Sequence, residues 1–256
     1  MNQQRLLPEL KSRFDRDGFV AVDPLFDAEQ MAQIRAEVDR FLVEEVPRMP
    51  PERVYYEDRA DRASIKQLQK LYEYSAFFHR LMFDGPVRQI AETVLGEAVV
   101  PQNMQFFNKP AGIGQATPPH QDGYYFHLQP CRAVTGWLAL EPVDDENGCI
   151  HYLRGSHQSR TFRPHGFTQV LGFSQGMTDF GSEEDRAATV ACPGRPGTFL
   201  IHDAYTVHWA GANRSATRSR RALGFIYYAV SAGLDQVSKD AYQQRLDERL
   251  RIEGRI

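Results

Sequence analysis

From residue 98 onward the chain is a series of short apolar or alternating runs cut apart by Gly, Pro and Asp: 98–108, 120–128, 134–141, 149–153, 187–191, 198–201, 205–210 and 220–230. Runs of this length separated by turn signals are the pattern of a β-sandwich or barrel. Residues before about 95 follow another period. Asp27, with Gln30 three positions on, has the form of a capping box, and Met31, Ile34, Val38, Phe41 and Leu42 then recur at helical spacing over 28–46. Pro47, Pro50 and Pro51 end that helix. Further helices are predicted over 72–83 and over 86–95, the latter with Pro86 at its first turn. The expected fold class is therefore mainly β with flanking helices (α+β), helical over about 1–95 and β over about 96–230.

With 256 residues, 42% of them hydrophobic, the chain can bury a sizeable core without disulfides. No Pro/Gly/Ser-rich linker divides it, so a single domain over 1–256 is expected. The stretch 159–186, with Arg160, Arg163, His165, Phe167, Phe173, Met177 and Phe180, fits neither period and is expected to be a lid-like insertion. Residues 239–251 read as an exposed helix carrying both charge signs. The formal charge of −3 supplies no field to recruit nucleic acid or an anionic membrane. No apolar run approaches the ~18 residues that a spanning helix needs. The three cysteines, Cys131, Cys149 and Cys192, are odd in number and lack Cys-x-x-Cys spacing, and the N-terminus lacks an apolar signal core. The expectation is a cytoplasmic protein without membrane or nucleic-acid partners.

The chemistry centres on Pro118-Pro119-His120-Gln121-Asp122-Gly123. On a strand, His120 and Asp122 share a face, so an imidazole and a carboxylate converge, and Gly123 relieves crowding beside them. A third ligand is sought on a later strand, and His208 ends a β-like run. Two His and one carboxylate on one face of a metal form the triad that suits non-heme iron(II) and leaves positions open. Arg220 opens the last predicted strand, where a guanidinium can pair bidentately with the distal carboxylate of 2-oxoglutarate. Each feature alone has a plainer explanation. His-x-Asp recurs by chance, His208 fits a core histidine, and Arg218, Arg220 and Arg221 fit a solvated basic turn. His202 is a nearby competitor, but it and Asp203 are adjacent on a strand and face opposite sides. The ordered set of all four residues is what carries the reading.

That set resembles the phytanoyl-CoA dioxygenase family of iron(II)/2-oxoglutarate oxygenases. The likeness extends through Asn108-Lys109-Pro110, His120-Gln121-Asp122, Tyr125-Phe126, Trp137, Asn147-Gly148-Cys149, Gly155-Ser156-His157, His208 and Arg220-Arg221-Ala222-Leu223. It covers roughly 66–228. The resemblance implies a double-stranded β-helix (jelly-roll, cupin-like) core. It implies iron(II) on His120, Asp122 and His208, with 2-oxoglutarate and dioxygen as co-substrates and Arg220 on the distal carboxylate. It also implies that Gln121, Trp137, Lys66 and Gln105 line the co-substrate pocket. Arg218, two residues earlier, is the rival to Arg220. A carboxylate at 122 points to hydroxylation, since related halogenases keep that position small.

For the substrate, Tyr124 and Phe126 share the face of Asp122 in a strand reading, although aromatic filling of the β core accounts for the same cluster. Asn103 and Arg163, with Gln102, His151 and Arg154, are candidates to meet a small polar or anionic molecule. Two other classes stay open: a cupin-like metal enzyme that does not use 2-oxoglutarate, and a non-catalytic metal- or small-molecule-binding protein.

Overall fold

The computed structural model describes residues 3–58, 60–168, 175–242 and 244. In chain order the elements are α1 (Gln3–Asp17), β1 (Phe19–Val22), α2 (Ala28–Glu44), β2 (Val54–Tyr56), β3 (Ile65–Gln69), α3 (Ala76–Phe83) and α4 (Pro86–Leu95). They continue with β4 (Val99–Lys109), β5 (Thr117–His120), α5 (Gly123–Phe126), β6 (Ala133–Ala139), β7 (Ile150–Leu153), β8 (His165–Phe167) and β9 (Gln175–Met177). The last are α6 (Glu183–Ala188), β10 (Thr189–Cys192), β11 (Phe199–Asp203), β12 (His208–Ala210) and β13 (Arg220–Ala229).

The strands form a large sheet of order β1-β11-β6-β13-β4-β3-β2, a smaller one of order β10-β7-β12-β5, and a β8-β9 hairpin. Period-2 alternation explains how the large sheet serves two layers. On β13, Leu223, Phe225 and Tyr227 face outward and pack with Met31, Ile34, Val38 and Phe41 of α2. Ala222 of the same strand faces inward, with Trp137 and Leu200, against Ile150 and Tyr152 of the small sheet. Fully burying each large apolar side chain contributes about 1.5–3 kcal/mol, so the α2 stripe alone accounts for the docking of that helix. The result is a double-stranded β-helix, or jelly roll, with helices on the outer face of its large sheet. No helix among the described residues is long and apolar enough to cross a membrane.

The Asp27–Gln30 capping box is present in both directions and starts α2. Several boundaries differ from the sequence reading. The helix expected over 72–83 is split: Leu71–Glu73 forms a 3-10 turn, and α3 starts afresh where the Ser75 side chain accepts from the Phe78 amide. The first third is not purely helical, because β1, β2 and β3 extend both edges of the large sheet. The run 120–128 is not a strand, since β5 ends at His120 and one helical turn, α5, follows. The apolar content of Tyr124, Tyr125 and Phe126 suggested β pairing, but tertiary packing overrides it.

The 159–186 segment carries structure of its own. The hairpin pairs His165 with Met177, and a Ser182/Asp185 capping box starts α6. Residues 169–174, including Phe173, lie outside the described residues, as does most of the helix expected over 239–251; residues 236–242 are helical.

Candidate metal and co-substrate site

The two sheets enclose a cavity of about 300 Å³, lined among others by His120, Asp122, His208, Trp137 and Arg220. Strand pairing brings the imidazoles together, because His120 at the end of β5 is the register partner of His208 at the start of β12. Their ring centroids lie 4.1 Å apart. Asp122 reaches the same point from the turn after β5 and not from the strand itself. Its backbone is helical (φ −58°, ψ −38°), so the strand argument for His120 and Asp122 sharing a face is replaced by a turn. Gly123 makes that turn possible: a Cβ there would sit 2.8 Å from Cys131 Sγ and 3.0 Å from the Ala204 carbonyl.

Each imidazole is oriented by its own strand. His120 Nδ1 lies 2.8 Å from the Pro118 carbonyl and His208 Nδ1 3.1 Å from the Thr206 carbonyl. Carbonyls only accept, so both Nδ1 atoms carry a proton and both Nε2 atoms point inward. Asp122 Oδ1 stands 3.4 Å from His120 Nε2 and 3.7 Å from His208 Nε2. Burial pushes the Asp122 carboxyl up, but His208, His120 and His202 outweigh it and hold it well below the usual carboxylate range. Burial, with His120 and His202 alongside, holds His208 well below the usual imidazole range, hence neutral. A neutral His208 and an ionised Asp122 are forms a divalent metal requires. The three donor atoms lie within 4.8 Å of one another.

At the other end of the cavity Arg220 is buried opposite Lys109, its register partner on β4. Its guanidinium carbon lies 5.4 Å from the centroid of the Trp137 ring, and its Nε is buried without a hydrogen-bond partner. Burial pushes its pKa down to about 10, although Cys149 and Glu141 pull the other way. Lys66 Nζ stands 3.3 Å from Glu57 Oε2, and Gln105 also lines this end. Asn108 donates to the Ile65 carbonyl, but its Oδ1 is buried and unpartnered. A buried guanidinium whose Nε has no partner is costly unless an anion meets it, while the Asn108 oxygen calls for a donor. Arg218 is elsewhere, paired on the surface with Asp144 at 2.8 Å and with Glu146.

Four residues expected at the site do other work, and one that was set aside belongs there. Gln121 does not line the cavity; its Nε2 donates to the carbonyls of Tyr205 (2.8 Å) and Thr161 (3.1 Å), and its Oε1 accepts from the Arg163 amide. Tyr124 turns away on α5 and stacks on His165, centroids 4.0 Å apart, so Tyr125 lines the cavity in its place beside Phe126, which lies there as expected. Asn103 accepts from the Lys70 amide and so secures a left-handed turn (φ 62°). Arg163 is held by Asp179 and Asp185, a pairing that ties the hairpin region to α6. His202, set aside because of its neighbour Asp203, lies 3.1 Å from Asp122 Oδ2. Lys109 and Thr135 were missed; both line the cavity. Lys109 was legible from period 2, since Gln105, Phe107 and Lys109 alternate on β4 and all three line the cavity.

The model of the phytanoyl-CoA dioxygenase (PhyH) family matches residues 14–222. The mouse peroxisomal phytanoyl-CoA dioxygenase is 26% identical over 224 residues, 81% of this chain and 64% of that protein. The zebrafish phytanoyl-CoA dioxygenase domain-containing protein 1 is 35% identical over 151 residues, 57% of this chain and 50% of that protein. The chain thus spans between half and two thirds of these two relatives. Among solved structures, EvdO2 from Micromonospora carbonacea var. aurantiaca, complexed with 2-oxoglutarate, superposes with a TM-score of 0.70 at 26% identity, covering 88% of this chain and 91% of that one. A match over most of the chain, taking in both β5 and the start of β13, leaves one assignment: the chain belongs to the phytanoyl-CoA dioxygenase family.

Proposed function

We propose that the chain is an iron(II)- and 2-oxoglutarate-dependent dioxygenase that hydroxylates a small molecule, with release of succinate and carbon dioxide. The observation that carries this reading is the pair of Nε2 atoms and one carboxylate oxygen converging at one end of a cavity whose other end holds the partnerless Nε of Arg220. The donor set fits iron(II): two borderline imidazoles and one hard carboxylate on one side, with the cavity on the other. The bound iron, with 2-oxoglutarate and dioxygen, supplies the oxidising chemistry. This chain's residues do the rest. Arg220 receives the distal carboxylate and sets its orientation, Trp137 provides a flat wall beneath the guanidinium, and Lys66 and Gln105 lie within the same pocket. The two sheets bury His120 and His208 at the reacting end, which shields their imidazoles from bulk water.

The arginines that suggested an anionic substrate are all engaged: Arg154 stands 3.7 Å from Asp17, Arg160 3.0 Å from Asp203, and Arg163 is bound to Asp179 and Asp185. The remaining wall includes Tyr125, Phe126 and Ile226 and the amides Gln67 and Gln69. We therefore read the substrate as a small molecule whose reacting part is uncharged, held by apolar contact and amide hydrogen bonds.

Anaerobic titration of the iron-loaded protein with 2-oxoglutarate tests the reading. A weak visible charge-transfer band that saturates, followed by succinate formation once oxygen is admitted, is expected. A folded, iron-loaded protein that gives neither would sink it and favour a metal enzyme that does not use 2-oxoglutarate.

A further inference from the structure

We propose that His202 and Thr135 are positioning residues that hold one oxygen of Asp122, so that the carboxylate offers a metal its other oxygen alone. This rests on the iron reading of the site and deepens it.

His202 on β11 and Thr135 on β6 are register partners, so they stand side by side on adjacent strands. Both address the same atom. Thr135 Oγ1 donates to Asp122 Oδ2 at 2.5 Å, and His202 Nε2 lies 3.1 Å from that same oxygen. The other oxygen, Oδ1, is the one that faces His120 and His208. The two oxygens are thus sorted by their partners.

The direction of the His202 bond follows from its far side. His202 Nδ1 lies 3.0 Å from the hydroxyl of Tyr152, a fully buried ring stacked on Phe19 at 4.3 Å. Burial holds that phenol protonated, and its proton is directed at Nδ1. The imidazole's own proton is then on Nε2 and points at Oδ2. The reverse tautomer would set an Nε2 lone pair against a carboxylate oxygen, which is repulsive. Phe19 is also the register partner of His202 on β1, so the relay Phe19–Tyr152–His202–Asp122 spans from the edge of the large sheet, through the small one, to the site.

An oxygen already accepting two hydrogen bonds has little lone-pair capacity left for a cation, and turning the carboxylate to chelate would break both bonds. The protein then supplies three ligand atoms, two nitrogens and Oδ1. A six-coordinate ion keeps three positions, enough for a bidentate 2-oxo acid and dioxygen together. A carboxylate free to bind through both oxygens would take one of those three.

The test is cobalt(II) binding to the full chain without 2-oxoglutarate, read by titration calorimetry and by the visible d–d spectrum. The variants are Thr135→Val, which keeps the shape and removes the hydroxyl, Thr135→Ser, which keeps the hydroxyl, His202→Phe, and Asp122→Ala. Loss of an outer partner is expected to weaken cobalt about 10- to 100-fold in Thr135→Val and His202→Phe, with Thr135→Ser within about threefold of wild type. The d–d band should change in position and shape in Thr135→Val as a second carboxylate oxygen takes the place of a water, a change that a purely structural role would not produce. A folded Thr135→Val protein with wild-type affinity and spectrum, alongside an Asp122→Ala protein that has lost cobalt, would overturn the proposal and leave the iron reading intact. An Asp122→Ala protein that binds cobalt as wild type does would instead remove the iron reading, and this proposal with it.

Discussion

Replacing Arg220 with Met should raise the stability of the ligand-free protein while removing its response to 2-oxoglutarate. Burial pushes the Arg220 pKa down to about 10. Against an ordinary value of ~12.5, that corresponds to about 3 kcal/mol of disfavoured charge. The Trp137 contact returns about 0.5–2 kcal/mol of cation–π attraction. Methionine fills similar space without a charge or an orphaned Nε, so the net gain is about 1–2 kcal/mol. For a chain of this length that is roughly 2–4 °C in Tm. In the holo state the sign reverses. Truncating one side of a desolvated charge pair costs about 2–5 kcal/mol, or roughly 30-fold to several thousand-fold in Kd. At 2-oxoglutarate near 100 times the wild-type Kd, wild type should gain about 2.7 kcal/mol and the variant no more than about 0.9 kcal/mol. The assay is thermal unfolding of manganese-loaded wild type and Arg220→Met, each with and without 2-oxoglutarate. The two proteins should exchange rank on adding the ligand. A variant that melts lower without ligand, or that shows the wild-type ligand shift, would refute the view that Arg220 is a buried cation awaiting an anion.

Lys109 should give a pH signature. Burial, with Arg220 and Lys66 nearby, pushes its pKa down to about 6, so it is neutral in the folded chain at pH 7 and charged in the unfolded one. The unfolded state binds more protons between about pH 6 and about pH 10.4, so ligand-free stability should rise with pH across that window, and Lys109→Met should flatten the rise. Binding a dianion beside Lys109 should take up a proton near neutral pH, seen by calorimetry in buffers of different ionisation enthalpy and absent in Lys109→Met. Arg218→Ala should leave 2-oxoglutarate affinity unchanged and alter stability little, because its pairs with Asp144 and Glu146 are surface pairs; a large loss of affinity would reinstate it as the co-substrate arginine. Gln121→Ala should cost about 2–3 kcal/mol by denaturant unfolding, since it strips partners from the carbonyls of Thr161 and Tyr205 and from the Arg163 amide; an unchanged midpoint would show that the brace is dispensable.

Most of the β framework was legible because its signal is local: alternation on β13 and the Pro and Gly breaks around β4, β6, β7 and β11 bound each strand within a few residues. The capping box of α2 is equally local. The His120, Asp122 and His208 cluster could be proposed because residue types and order, not boundaries, identify it; the geometry by which Asp122 arrives was wrong, since strand and tight turn look alike over three residues. Long-range relations were hidden. Nothing near Thr135 announces that it faces Asp122, and His202 was discounted by a rule about neighbouring residues that never asked what lay across the sheet. Arg163 was misjudged for the same reason, as its partners Asp179 and Asp185 lie 16 and 22 residues away.

The strand that ends in His120 lies at the outer edge of the small sheet, and two of its four residues are prolines. Pro118 and Pro119 have no amide proton to offer, so the free edge cannot template a foreign strand in regular register. Gly176 of the hairpin lies over Pro118, where a Cβ would approach the proline ring to 3.2 Å. The segment that presents the His120 imidazole is therefore also a part of the small sheet protected against edge-to-edge self-association. Exchanging either proline for a residue with an amide proton would put colloidal stability at risk before it touched chemistry, and early turbidity on storage of such variants would report it.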